Sequence, residues 1–151
     1  MEIERKWVLE AVPDGLGPGS AIEQGYLAID PAGAEVRVRR KGGKTLMTVK
    51  TGIGLVRGEE EFGIDAERFE RLWAMTEGRR VVKTRHEVAL GDLVAEVDVY
   101  AGDLDGLLTA EVEFGSPEAS AAFAPPDWLG AEVTGDARYA NQSLALAGVP
   151  V

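Results

Sequence analysis

Glu2, Glu4 and Lys6 occupy every second position at the start of the chain. In an extended strand successive side chains alternate between faces, so these three project to one side and Ile3, Arg5 and Trp7 to the other. Two carboxylates about 7 Å apart along a strand repel one another unless a cation or hydrogen-bond donors come between them. With a lysine next in the row, such a face has the parts to hold a divalent metal and to reach an anion bound to it. Taken alone, E-x-E-x-K is equally the wet face of an edge strand. The same alternation returns, however, along the rest of the chain: Glu35, Arg37 and Arg39; Thr48 and Lys50; Arg57, Glu59 and Glu61; Lys83 and Arg85; Glu96 and Asp98; Glu111 and Glu113. Acids and bases are sorted by strand rather than mixed.

The chemistry open to this set is narrow. The chain has no cysteine and a single histidine, His86, which excludes thiolate nucleophiles, disulfides and His-rich metal sites. A bound metal must therefore take oxygen ligands, which favours magnesium, manganese or calcium. Paired arginines and lysines on neighbouring strands suit an elongated phosphate chain, arginine by forked hydrogen bonds and lysine as a point charge. Burying so many charges unpaired is prohibitive, so a face of this kind is wet, internally paired, or made for a ligand that is itself highly charged. The pattern alone leaves open both a wet sheet face and a polyphosphate site.

The elements that must position these residues are mostly strands. Residues 1–7, 24–29, 35–39, 45–50, 57–64, 81–85, 93–100 and 107–114 read as strands, almost every one with one charged and one apolar face. Residues 12–20, rich in proline and glycine, read as loop, and 40–44 as a hairpin turn around Gly42-Gly43. Helical spacing predicts a short helix over 67–75, capped by Asp65 and ended by Gly78. A second is expected over 117–123 behind Ser116, and a third over 137–147. Eight strands with short helices give an α+β fold, and 151 residues suit one domain spanning 1–151. No apolar run is long enough for a membrane span, and a charged strand at the start leaves no room for a signal peptide, so a cytoplasmic location without membrane partners is expected. A net charge of -10 argues against nucleic-acid binding.

The ordered series Glu2-x-Glu4-x-Lys6, Gln24-Gly25-Tyr26-Leu27, Arg37-x-Arg39, Thr48-x-Lys50, Glu59-x-Glu61, Lys83-x-Arg85, Glu96-x-Asp98 and Glu111-x-Glu113-Phe114 runs through nearly the whole chain. Glu132-Val133-Thr134, Asp136, Tyr139 and Asn141 follow it. In these residues the sequence resembles the triphosphate tunnel metalloenzymes, the CYTH superfamily, and most of all the short bacterial tripolyphosphatases. The resemblance implies an eight-stranded antiparallel β-barrel enclosing a charged tunnel, with short helices packed outside. It implies magnesium- or manganese-dependent hydrolysis of a triphosphate, with two ions in the active complex. Inorganic tripolyphosphate, split to pyrophosphate and phosphate by water attack on a terminal phosphoryl group, is the expected substrate. Carried over position by position, Glu2, Glu4, Glu111 and Glu113 match the metal ligands, with Glu59, Glu61 and Asp98 as further candidates. Lys6, Arg37, Arg39, Lys50, Lys83 and Arg85 match the phosphate-binding positions.

Lys6 is in addition the candidate catalytic residue, orienting or activating water, on the expectation that a lysine among basic neighbours has a lowered pKa. Adenylyl cyclase, thiamine or nucleoside triphosphatase, and a polyphosphate-binding module without turnover are the alternatives. A homodimer is left open. Tyr26, Trp7, Trp73 and Trp128 are expected to pack, His86 to face away from the charged row, and Arg79-Arg80 to form a solvated turn. Asp136 and Tyr139 are expected to cap and pack the last helix, which could plug one tunnel mouth. Glu59 and Glu61 could equally form ion pairs with Arg37 or Arg57.

Overall fold

Alternating apolar and charged side chains become strands wherever one face can be covered, and nine of them build a single antiparallel sheet in this computed structural model, which describes residues 3–51 and 58–151. The strands are β1 (Ile3–Val8), β2 (Gly19–Ile29), β3 (Glu35–Lys41), β4 (Lys44–Thr51), β5 (Gly58–Gly63), β6 (Arg80–Leu90), β7 (Leu93–Ala101), β8 (Leu108–Phe114) and β9 (Ala131–Glu132). Their order across the sheet is β5-β4-β3-β2-β6-β7-β8-β1-β9. Glu2 and Arg57 lie outside the described residues.

Register turns the sequence alternation into one continuous charged face. Lys6 pairs opposite Glu111, Glu111 opposite Glu96, and Asp98 opposite Arg85. Ile22 lies opposite Lys83, Gln24 opposite Arg39 and Tyr26 opposite Arg37. Thr48 sits between Arg37 and Glu61, and Lys50 between Glu35 and Glu59. Side chains directly opposite share a face. The bases therefore gather on the central strands, with carboxylates along the β1–β8–β7 flank and the β5 edge.

The other face is apolar and covered. Trp7, Leu9, Ala95, Val97, Ala110, Val112, Phe114 and Leu129 form one core, with Phe123 and Trp128 against it, beneath α2 (Pro117–Ala122). Ser116 caps α2 by accepting from the Ala119 amide, and Pro117 begins the helix where no amide donor is needed. Further along, α1 (Ala66–Trp73), capped by Asp65 accepting from the Arg68 amide, packs on β3 and β4 through the buried Phe69.

A second core lies at one end of the charged face. There α3 (Asn141–Ala147) packs Leu144 and Ala145 against Tyr26, Val81, Tyr100, Leu104 and Leu107. Tyr26, Val81 and Tyr100 share the parity of the basic row, so the C-terminal helix covers one end of that face.

Several expectations need correction. β2 begins at Gly19 inside the expected loop because Gly19–Gly25 pairs with Arg80–His86, and β6 runs to Leu90 because its last residues pair with the start of β7. The first helix stops at Trp73 and continues as a 3₁₀ turn, Ala74–Thr76. The expected final helix is a 3₁₀ turn, Ala137–Tyr139, then extended Ala140 (φ -68°, ψ 146°), then α3. β9 was not expected. Eight strands closing into a barrel were expected; among the described residues no ladder joins β5 to β1 or β9, so the sheet is open and curled. No helix among the described residues is long and apolar enough to cross a membrane.

Candidate active site

The basic centre is built from β3 and β6, two strands separated only by β2. Asp98 is 1% exposed and engages Lys83 and Arg85 of β6. Arg85 donates from Nε to Oδ1 (2.8 Å) and from Nη2 to Oδ2 (3.0 Å), and Lys83 Nζ stands 2.8 Å from Oδ2. Nη1 of Arg85 also reaches Glu96 at 3.0 Å. Burial pushes the Asp98 carboxyl up, but hydrogen bonds and charge from Arg85 and Lys83 outweigh it and hold it below the carboxylate range. Burial lowers the Lys83 amine, with Asp98 opposing, and the Asp98 hydrogen bonds hold the Arg85 guanidinium above its ordinary value.

β3 presents a different situation. Arg37 Nη1 pairs with Glu35 at 2.9 Å, whereas its Nε is buried without a partner. Arg39 Nε is likewise buried and unpartnered, and among the described residues Arg39 and Lys50 take part in no ion pair. Burial lowers the Arg39 guanidinium, and repulsion from Arg85 and Arg37 lowers it further. A buried donor without an acceptor costs about 1–3 kcal/mol, more when charged. The guanidiniums of Arg37, Arg39 and Arg85 thus stand near enough to repel one another.

The acids flank this centre. Glu4 faces Glu113 across the β1–β8 ladder, and Glu111 follows two residues along β8. Glu111, Glu4 and Lys6 line a cavity of about 400 Å³ beneath Asp136, Tyr139 and Asn141. A second opening of about 430 Å³ lies among Ser20, Lys41, Arg85, Glu87 and Glu96. On β5, Glu61 accepts from the Thr48 hydroxyl at 3.1 Å and Glu59 is exposed; neither pairs with Arg37. The donors fit a hard divalent ion in kind, being carboxylate oxygens. Among the described residues, no three such groups stand close enough to form a metal cage.

Lys6 does not have the basic surroundings expected of it. Its Nζ donates to the Tyr139 carbonyl at 2.8 Å and stands 3.4 Å from Glu111. Tyr26 is buried on the charged face, its hydroxyl accepting from Gln24 Nε2, and His86 contacts the Gly17 carbonyl on the opposite face. Arg79 and Arg80 are no solvated turn. They donate to the Tyr26, Met75 and Trp73 carbonyls, and Arg80 stacks on Trp73.

The last helix was expected at one tunnel mouth, but not the contacts that its segment makes with the charged face. The Tyr139 carbonyl holds Lys6, and Gln142 Nε2 donates to Glu35, the partner of Arg37. A backbone acceptor leaves no trace in side-chain spacing. Tyr100, by contrast, could have been found, since it continues the Glu96-x-Asp98 parity.

No family model matches the chain. It is 48% identical to an inorganic triphosphatase of Nitrosomonas europaea over 97% of both chains. It is 38% identical to an inorganic triphosphatase of Acetivibrio thermocellus, over 95% of this chain and 92% of the relative. A crystal structure of an inorganic triphosphatase superposes with a TM-score of 0.87 at 45% identity, covering all of this chain and 97% of the other. A Hippeastrum protein whose structure is described with a dominant triphosphatase activity superposes at 0.50 with 16% identity, over 80% of this chain and 83% of the other. At that identity it speaks for the fold alone.

Proposed function

The chain belongs to the inorganic triphosphatase family, and we propose that it hydrolyses inorganic tripolyphosphate to pyrophosphate and orthophosphate on the charged face of its sheet. The observation that carries the reading to these residues is Arg39, its Nε buried without an acceptor and its charge crowded by Arg37 and Arg85. A polyanion supplies what that centre lacks. Arg37, Arg39 and Lys50 bind the chain from one side and Lys83 and Arg85 from the other. Lys6 holds the terminal phosphoryl group and orients the attacking water, exchanging its contacts with Glu111 and the Tyr139 carbonyl as it does so.

Magnesium or manganese would neutralise phosphoryl charge and polarise the reacting oxygens. The carboxylates that would have to draw together on it are those of Glu4, Glu111 and Glu113, with Glu2 ahead of them in sequence, and those of Glu59 and Glu61 for a second ion. Glu59 and Glu61 stand at the far edge of the sheet from Glu4. Closure of the sheet around the ligand, toward the eight-stranded barrel, brings both acidic edges to one substrate.

Phosphate release from tripolyphosphate, ATP and thiamine triphosphate, each with and without magnesium or manganese, tests the reading. Metal-dependent release from tripolyphosphate well above ATP is expected. Cyclic AMP and pyrophosphate from ATP would instead make the chain a cyclase. Tight tripolyphosphate binding without turnover would make it a binding module.

A further inference from the structure

We infer that Asp98 is a positioning residue, holding the Arg85 guanidinium and the Lys83 ammonium in place for the phosphate chain rather than ligating metal. The inference rests on the tripolyphosphatase reading and deepens it. Both Asp98 oxygens are taken: Oδ1 by Arg85 Nε, and Oδ2 by Arg85 Nη2 and Lys83 Nζ, all within 3.0 Å. The side-on pair uses two of the five guanidinium donors. Of the remaining three, one on Nη2 is left for an anion, and the two on Nη1 stand beside Glu96 at 3.0 Å, a carboxylate that an incoming phosphate would replace.

The neighbours across the ladders point the same way. Glu4 has Glu113 opposite it and Glu111 has Glu96, so carboxylates meet carboxylates there. Asp98 instead has Arg85 on one side and the uncharged, fully buried Thr109 on the other. No second carboxylate lies directly across from Asp98 to share a cation. Its charge offsets one of two adjacent cations, which allows Lys83 to sit buried and Arg85 half-buried on β6. The more exposed Glu96 balances the other and is the carboxylate a phosphate would displace from Nη1.

A double-mutant cycle on the full chain tests this, with Asp98→Asn, Arg85→Lys and the pair compared with wild type. The readouts are kcat and KM for tripolyphosphate and the magnesium concentration giving half-maximal rate. Asp98→Asn should lower kcat about 10- to 100-fold without raising KM comparably, since small misplacement of a binding group costs rate on that scale. The magnesium requirement should not move. In the Arg85→Lys background the further loss should shrink to about threefold or less, because the two residues act as one unit.

A rise of about tenfold in the magnesium requirement would make Asp98 a ligand. Equal losses in both backgrounds would make its role independent of Arg85. Either result overturns the inference. Asp98→Glu keeps the charge and moves the anchor by one methylene, so it carries the test if the asparagine variant does not fold. It should lose kcat at an unchanged magnesium requirement, and full wild-type kcat would again overturn the inference. A wild-type protein that binds tripolyphosphate without turnover would refute the enzymatic reading alone, and the same non-additivity would then be required in Kd.

Discussion

Arg39 separates what the charged face does for stability from what it does for function. Its half-buried guanidinium has an Nε without an acceptor, takes part in no ion pair among the described residues, and is repelled by Arg85 and Arg37 more than Glu61 and Asp98 attract it. Such a group costs stability until an anion arrives. Arg39→Gln is therefore expected to stabilise the ligand-free protein by about 1 kcal/mol while raising KM for tripolyphosphate at least about tenfold. Thermal unfolding with and without tripolyphosphate checks both halves, since ligand binding to the native state raises Tm by mass action. A variant that melts lower than wild type without ligand would show that Arg39 has an internal partner. The identity of this residue was legible from Arg37-x-Arg39, but its isolation was not, because Glu35 and Asp98 choose their partners through rotamer and register. The same holds for Asp98, whose alternation marked it as an acid of the charged face without revealing that Lys83 and Arg85 consume it.

At the scale of elements, Gly25 shows why one strand tolerates no side chain. A Cβ there would lie 2.5 Å from Thr76 Oγ1 and 2.7 Å from Thr76 Cβ. Thr76 cannot give way easily, being fully buried, donating to the Trp73 carbonyl and accepting from Arg80 Nε. Gly25→Ala should therefore destabilise by about 1–3 kcal/mol, the range for an added methyl in a packed site, measured by urea unfolding. An unchanged midpoint would mean that the 3₁₀ turn moves freely away from β2. The strand pattern was legible because charge and apolar residues alternate cleanly on β3, β4, β7 and β8. The first half of β2 was not, since Gly19, Ser20 and Ala21 carry no such contrast and owe their strand to pairing with β6. β9 is two residues held against β1, too short to leave a period. The last helix breaks at Ala140, which the helical spacing of its neighbours conceals. Closure of the sheet is a property of strands far apart in sequence, and alternation within each strand says nothing about it.

The whole molecule carries a net charge of -10 yet sets Lys6, Arg37, Arg39, Lys50, Lys83 and Arg85 together on one face of its sheet. The C-terminal segment covers one end of that face, and it is tied down on the outside by Arg5. This guanidinium donates from Nε and Nη2 to the two oxygens of Glu132 (3.0 and 2.7 Å) and from Nη1 to the Ser120 carbonyl (2.9 Å). Glu132 also accepts from Thr134, whose hydroxyl oxygen accepts from the Lys6 amide, and the Val133 amide donates to the Lys6 carbonyl. The hydrogen bonds from Arg5 and Thr134 hold the Glu132 carboxyl down at about 2, against an ordinary 4.5. A depressed folded-state value means that the contribution is fully present above about 4.5 and is lost as pH falls toward 2. Because the pair is partly exposed, solvent screening limits that contribution to about 1 kcal/mol or less. The stability difference between wild type and Glu132→Gln should therefore be constant from pH 7 to 5, narrow below 4.5 and vanish near 2. It should also shrink in about 1 M salt. Urea unfolding of both proteins across that range measures it, and other carboxylates cancel in the difference. A gap that persists undiminished at pH 2.5 would mean that packing of the Glu132 stem, rather than its charge, anchors the C-terminal segment over the site.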